Sequence, residues 1–123
     1  NALQPDVIVM LGDYPAGTRL VTGWVDASEW APALSGLKAP LGVFAILGNH
    51  DWWHDHAAQL AMTGPTAARK ALESVGIPVL ENDVMRLEKD GQGFWIAGLA
   101  DQLAIRPSKA LGRHGFKGLD DLG

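Results

Sequence analysis

The chain of 123 residues has no cysteine, a single tyrosine and no surplus of basic residues. Without cysteine there are no disulfides, no thiolate metal ligands and no thiol nucleophile, and the redox compartment stays open. Acidic residues outnumber basic ones 14 to 10, for a formal net charge of −4. That balance argues against an electrostatic nucleic-acid binder or a polybasic membrane-surface module, so no nucleic-acid partner is expected. The longest apolar runs, such as Val7–Leu11, fall far short of the roughly 20 residues that cross a bilayer, and the first residues do not read as a signal peptide. What is present is 47% hydrophobic and 20% charged residue, the profile of one soluble folded domain rather than a disordered tail.

Apolar runs and breakers give the order of elements. Val7–Leu11, between Pro5 and Gly12, reads as a strand buried on both faces, and Val43–Leu47, closed by Gly48, repeats the pattern. Between them a loop with Pro15, Gly17 and Gly23 leads to a short helix over Glu29–Leu34, capped by Asp26 or Ser28 and ended by Gly36. Asn49–His54 reads as a polar-aromatic turn. Two helices follow between Asp55 and Val75, interrupted at Gly64-Pro65, with Thr63 or Thr66 capping the second. Val79-Leu80, Val84–Glu88 and Phe94–Leu99 read as strands, the last two joined over residues 89–93. Residues 102–117 read as an exposed basic loop. The alternation predicts an α/β fold with a largely parallel sheet.

In such sheets ligands gather outside the carboxyl ends of the strands. Two strands here end alike, in Leu11-Gly12-Asp13 and in Leu47-Gly48-Asn49-His50-Asp51. Neighbouring parallel strands would place Asp13 beside Asn49 and His50. A carboxylate, an amide oxygen and an imidazole together suit a hard or borderline divalent cation, with His50 also able to donate a proton or stabilise charge.

These residues resemble the central two motifs of the calcineurin-like metallophosphoesterases, and Gly76-Ile-Pro-Val-Leu-Glu-Asn82 with its hairpin is similar to bacterial members of that family. The resemblance implies a β-sandwich flanked by helices that hydrolyses phosphate esters with two divalent metal ions: manganese, iron, zinc or magnesium. It implies that Asp13 bridges the metals, that Asn49 ligates the second, and that His50 stands beside the scissile phosphate of a small-molecule phosphate ester as the catalytic residue. A bridging hydroxide would attack phosphorus. The family's upstream Asp-x-His and downstream Gly-His-x-His motifs are missing, since only 12 residues precede Asp13 and His114 fits neither. Both chain ends read as interrupted helices. Residues 1–123 are therefore expected to be a partial metallophosphoesterase domain, incomplete in its sandwich, of a parent whose localisation and oligomeric state the sequence leaves open. The alternative is a truncated, non-catalytic α/β domain without a competent metal site.

Other polar and aromatic residues carry weaker readings. His50, His54 and His56 would form a local zinc cluster only if the segment were helical, and the glutamate of a zinc-protease motif is absent. His54 and His56 read instead as residues at a helix start, with Asp51 or Asp55 capping. Of Trp52 and Trp53, one is expected to pack and one to wall the substrate cleft. Trp24, Trp30, Phe44 and Trp95 are assigned to the core. Asp101 is expected to take no metal, and Tyr14 either packs or reaches substrate. Arg106, Lys109, Arg113 and Lys117 are read as a solvated face.

Overall fold

A computed structural model describes residues 3–15, 23–106 and 115–122. Strand β1 (Ile8–Met10) pairs in parallel with β2 (Val43–Ala45), Val9 opposite Phe44. A single parallel bridge between Ala45 and Val79 carries the pairing one step further, with Leu80 N donating to Ala45 O at 2.8 Å. The expected strand at 79–80 is thus a bridge only. Strands β3 (Asp83–Lys89) and β4 (Gln92–Gly98) form an antiparallel hairpin in a sheet of their own. Its connection is the two residues Asp90 and Gly91, both at positive φ, tighter than the five-residue link expected.

Helix α1 (Ala27–Leu34) bridges β1 and β2, and Asp26 is its cap, accepting from Ser28 N. Helix α2 (Asn49–Trp53) occupies the segment read as a turn. Two interactions impose that helix: Asp51 turns back to accept from Gly48 N at 2.8 Å, and Trp52, 2% exposed, enters the core. Trp52 Nε1 donates to Glu81 Oε1 at 2.8 Å, and Arg69 meets the other Glu81 oxygen at 3.3 Å. Helices α3 (His56–Ala61) and α4 (Ala67–Ser74) fall on either side of Gly64-Pro65, capped by Asp55 and Thr66. A 3-10 helix covers Gly118–Leu122, and Leu3–Pro5 are not helical.

Leu47, Trp52, Leu72, Ile77, Val79, Ala104 and Ile105 form the core between the parallel pair and the helices. Burial of β1 on both faces is not observed: Val9 and Leu11 are exposed, because β1 is an edge strand whose only partner among the described residues is β2. Trp24 and Trp95 are likewise exposed, whereas Phe44 is buried and Trp30 packs at the core's margin. Thr66 is fully buried and its Oγ1 accepts Arg69 N at 3.2 Å. Thr66→Ala removes that cap and should lower stability by about 1 kcal/mol in urea unfolding, with the slope of the transition unchanged.

Candidate active site

The two strand ends meet as expected. Asp13, at φ +57, sits in the left-handed region that Asp and Asn tolerate better than other side chains. Its Oδ1 accepts His50 N at 3.0 Å. That contact brings the exposed carboxylate against the start of α2, where Asn49 and His50 are half-buried. Such proximity requires the absence of two side chains. A Cβ on Gly48 would overlap Asp13 Oδ1, and one on Gly12, whose φ is +90, would lie 2.6 Å from Leu47 C and overlap Gly48 N.

Asp51 locks the arrangement. Its Oδ2 accepts Asp13 N at 2.7 Å and Gly48 N at 2.8 Å, and its Oδ1 accepts Tyr14 N at 3.0 Å. One carboxylate, 3% exposed, thus holds both strand-end turns. Burial pushes its pKa above the ordinary carboxylate value, the amides pull the other way, and the Asp13 charge adds to the rise. Tyr14 packs rather than facing a substrate: its ring stacks on Trp30 with centroids 4.9 Å apart, and its hydroxyl donates to Ile46 O. Burial, reinforced by the Asp51 charge, raises the Tyr14 pKa and keeps the phenol a neutral donor.

The imidazole of His50 contacts Trp53 at 5.3 Å and His54 at 5.7 Å between centroids. Its Nδ1 is buried with no hydrogen-bond partner. Trp52 packs inside, and Trp53 packs at the core's margin with its ring against His50. Burial first, then the charges of His50 and Arg106, lower the His54 pKa. His54 ends α2 and His56 begins α3. Among the described residues no group of three or more His, Cys, Asp or Glu side chains converges on a point, which leaves the local histidine zinc cluster without support. Asp101 accepts Leu103 N, and Lys109, Arg113 and His114 lie outside the described residues.

The donors present suit part of a divalent cation's shell. Asp13 offers a carboxylate oxygen against the start of α2, where Asn49 carries an amide, while the unpartnered Nδ1 of His50 marks a polar atom still lacking its complement. Two nearby carboxylates, Asp13 and Asp51, also leave the edge negative, which a cation would offset.

The chain belongs to the calcineurin-like phosphoesterase family, a family of hydrolases, whose sequence profile matches residues 1–98. Over 106 residues it is 35% identical to a Caenorhabditis elegans protein named "Putative metallophosphoesterase F40B5.2", covering 86% of this chain and 19% of that protein. It is 32% identical over 82 residues to the UDP-2,3-diacylglucosamine pyrophosphatase LpxG of Chlamydia muridarum, covering 61% of this chain and 24% of that one. The LpxG of Chlamydia trachomatis serovar D is 38% identical over 52 residues, 42% of this chain and 15% of its own. The chain thus spans about a fifth of the length of the curated relatives it matches. No solved structure matches it.

Proposed function

We propose that the intact protein is a metal-dependent phosphoesterase that hydrolyses a phosphomonoester or phosphodiester at this strand edge, with Asp13 and Asn49 as metal ligands and His50 as catalytic residue. The observation that carries this reading is the junction of the two turns: Asp13 Oδ1 on His50 N, with both turns bound to Asp51. When bound, two divalent cations (manganese, iron, zinc or magnesium) would neutralise phosphate charge and activate water. Asp13 supplies the anionic oxygen that holds them and Asn49 a neutral one. His50 stands next to both, fixed by its backbone bond to Asp13, with an imidazole placed to donate a proton to a leaving oxygen or to stabilise charge on the phosphoryl group. Trp53 borders this imidazole and excludes water from one side.

The family supports a small phosphate-ester substrate, and a diphosphate-linked nucleotide sugar, the class named for the chlamydial relatives, belongs in the substrate panel. The competing reading is a truncated, non-catalytic α/β domain without a competent metal site.

The test pairs hydrolysis of bis(p-nitrophenyl) phosphate by the intact protein with metal analysis. Hydrolysis should vanish on chelation and return with added metal. His50→Ala should retain its metal while turnover falls by a factor of about 10² to 10⁴. Loss of metal together with turnover would make His50 a ligand instead, and a wild-type protein that neither holds metal nor hydrolyses any member of the panel would leave the non-catalytic reading standing.

A further inference from the structure

Arg106 is placed by groups well inside the fold. Gln59, 7% exposed, donates from Nε2 to Ala104 O at 2.6 Å and to Trp52 O at 3.3 Å, and its Oε1 accepts Arg106 N at 3.1 Å. Trp53 Nε1 donates to Leu103 O at 2.8 Å. Together these bonds fasten residues 103–106 to α2 and α3.

The result is a guanidinium over the Trp53 indole, its Cζ 4.9 Å from the ring centroid. The same indole touches His50, at 5.3 Å between centroids. A permanent cation and the candidate catalytic imidazole therefore share one aromatic platform. Among the described residues no carboxylate pairs with Arg106, in contrast to Arg69, which meets Glu73 and Glu81, and Arg86, which meets Glu88. The side chain is exposed, and an unneutralised guanidinium fork has the geometry to take two oxygens of a tetrahedral anion. The shift of His54 under the charges of both His50 and Arg106 agrees with their lying on one face.

We propose that Arg106, steered by Trp53, binds an anionic oxygen of the substrate's phosphate group beside His50. This rests on the phosphoesterase reading for its substrate class. Arg106 is a binding and positioning residue: it holds the phosphate against the site and takes no part in proton transfer. The acidic edge formed by Asp13 and Asp51 makes such a contact more useful, because the anion needs a fixed positive partner that belongs to the protein itself.

The test uses the intact, metal-loaded protein with two substitutions. Arg106→Met keeps an apolar stem over the indole and removes the charge, whereas Arg106→Lys keeps the charge and removes the fork. Equilibrium dialysis of inorganic phosphate should show a dissociation constant raised about tenfold or more in Arg106→Met and by an intermediate factor in Arg106→Lys. For p-nitrophenyl phosphate, KM should rise in the same order while kcat changes less. Phosphate affinity equal to wild type in both variants overturns the proposal. Equal losses in both, accompanied by a lowered Tm, would mark a purely structural arginine and overturn it as well. Arg106-dependent phosphate binding by a wild-type protein that hydrolyses no ester would remove the phosphoesterase reading and leave this contact intact. Hydrolysis with unaltered phosphate binding in both variants would do the reverse.

Discussion

Asp13→Asn should abolish metal-dependent hydrolysis while leaving the fold intact. Asparagine has nearly the same shape, tolerates the left-handed backbone at φ +57, and still presents an oxygen to accept His50 N. What disappears is the negative charge. A cation held by one carboxylate and one neutral amide loses its main electrostatic anchor, so metal affinity should fall by more than about 100-fold, beyond the usual effect of disturbing an outer partner of a ligand. The unloaded variant should melt no lower than wild type, because the repulsion between the charges at 13 and 51 is relieved. Turnover and metal content measured on the same sample decide the matter. Retention of most activity with metal still bound would sink the assignment of Asp13. A large fall in Tm would instead show that its charge serves the fold.

Asp51→Ala should have the opposite character, with stability lost first and activity as a result. The carboxylate accepts three backbone N–H groups, and alanine leaves all three without it: Gly48 N in a buried setting, Asp13 N and Tyr14 N in partly buried ones. A buried orphaned donor costs about 1–3 kcal/mol and a partly buried one less, so a destabilisation of about 2–4 kcal/mol is expected, measured by urea unfolding. Asp51→Asn separates charge from hydrogen bonding. Its one carbonyl oxygen can serve some of the three donors while its NH2 faces the rest, so it should fall between wild type and alanine. A change below about 1 kcal/mol in Asp51→Ala would mean that the turns hold their shape without this side chain.

The contrast between these residues shows what was legible in the sequence. Asp13, Asn49 and His50 follow an apolar run and a glycine, a local pattern that survives without coordinates. The break at Gly64-Pro65 and the cap at Thr66 are local in the same way, which is why α4 emerges close to its expected bounds. Asp51 was legible only as a cap or as the tail of a motif. Its bonds to Asp13 and Tyr14 span 38 and 37 positions, and no window of sequence contains both ends. Arg106 was read as part of a solvated basic loop for the same reason: the side chain that sets it, Gln59, lies 47 positions earlier. The exposure of Trp24 and Trp95 differs from the expected burial for another reason, since an indole's apolarity says nothing about whether an element arrives to cover it. The helix at 49–53 has no local signature because its stability is tertiary, resting on Trp52 in the core and Asp51 across the turn.

Gly12 and Gly48 lie so close to each other's turns that a side chain on either would overlap the other turn. The two halves of the site therefore share one seam, and enlarging either glycine would push apart the edges that carry Asp13 and His50. A chain in which the first strand is formed but the second has yet to dock presents Asp13 without its geometry.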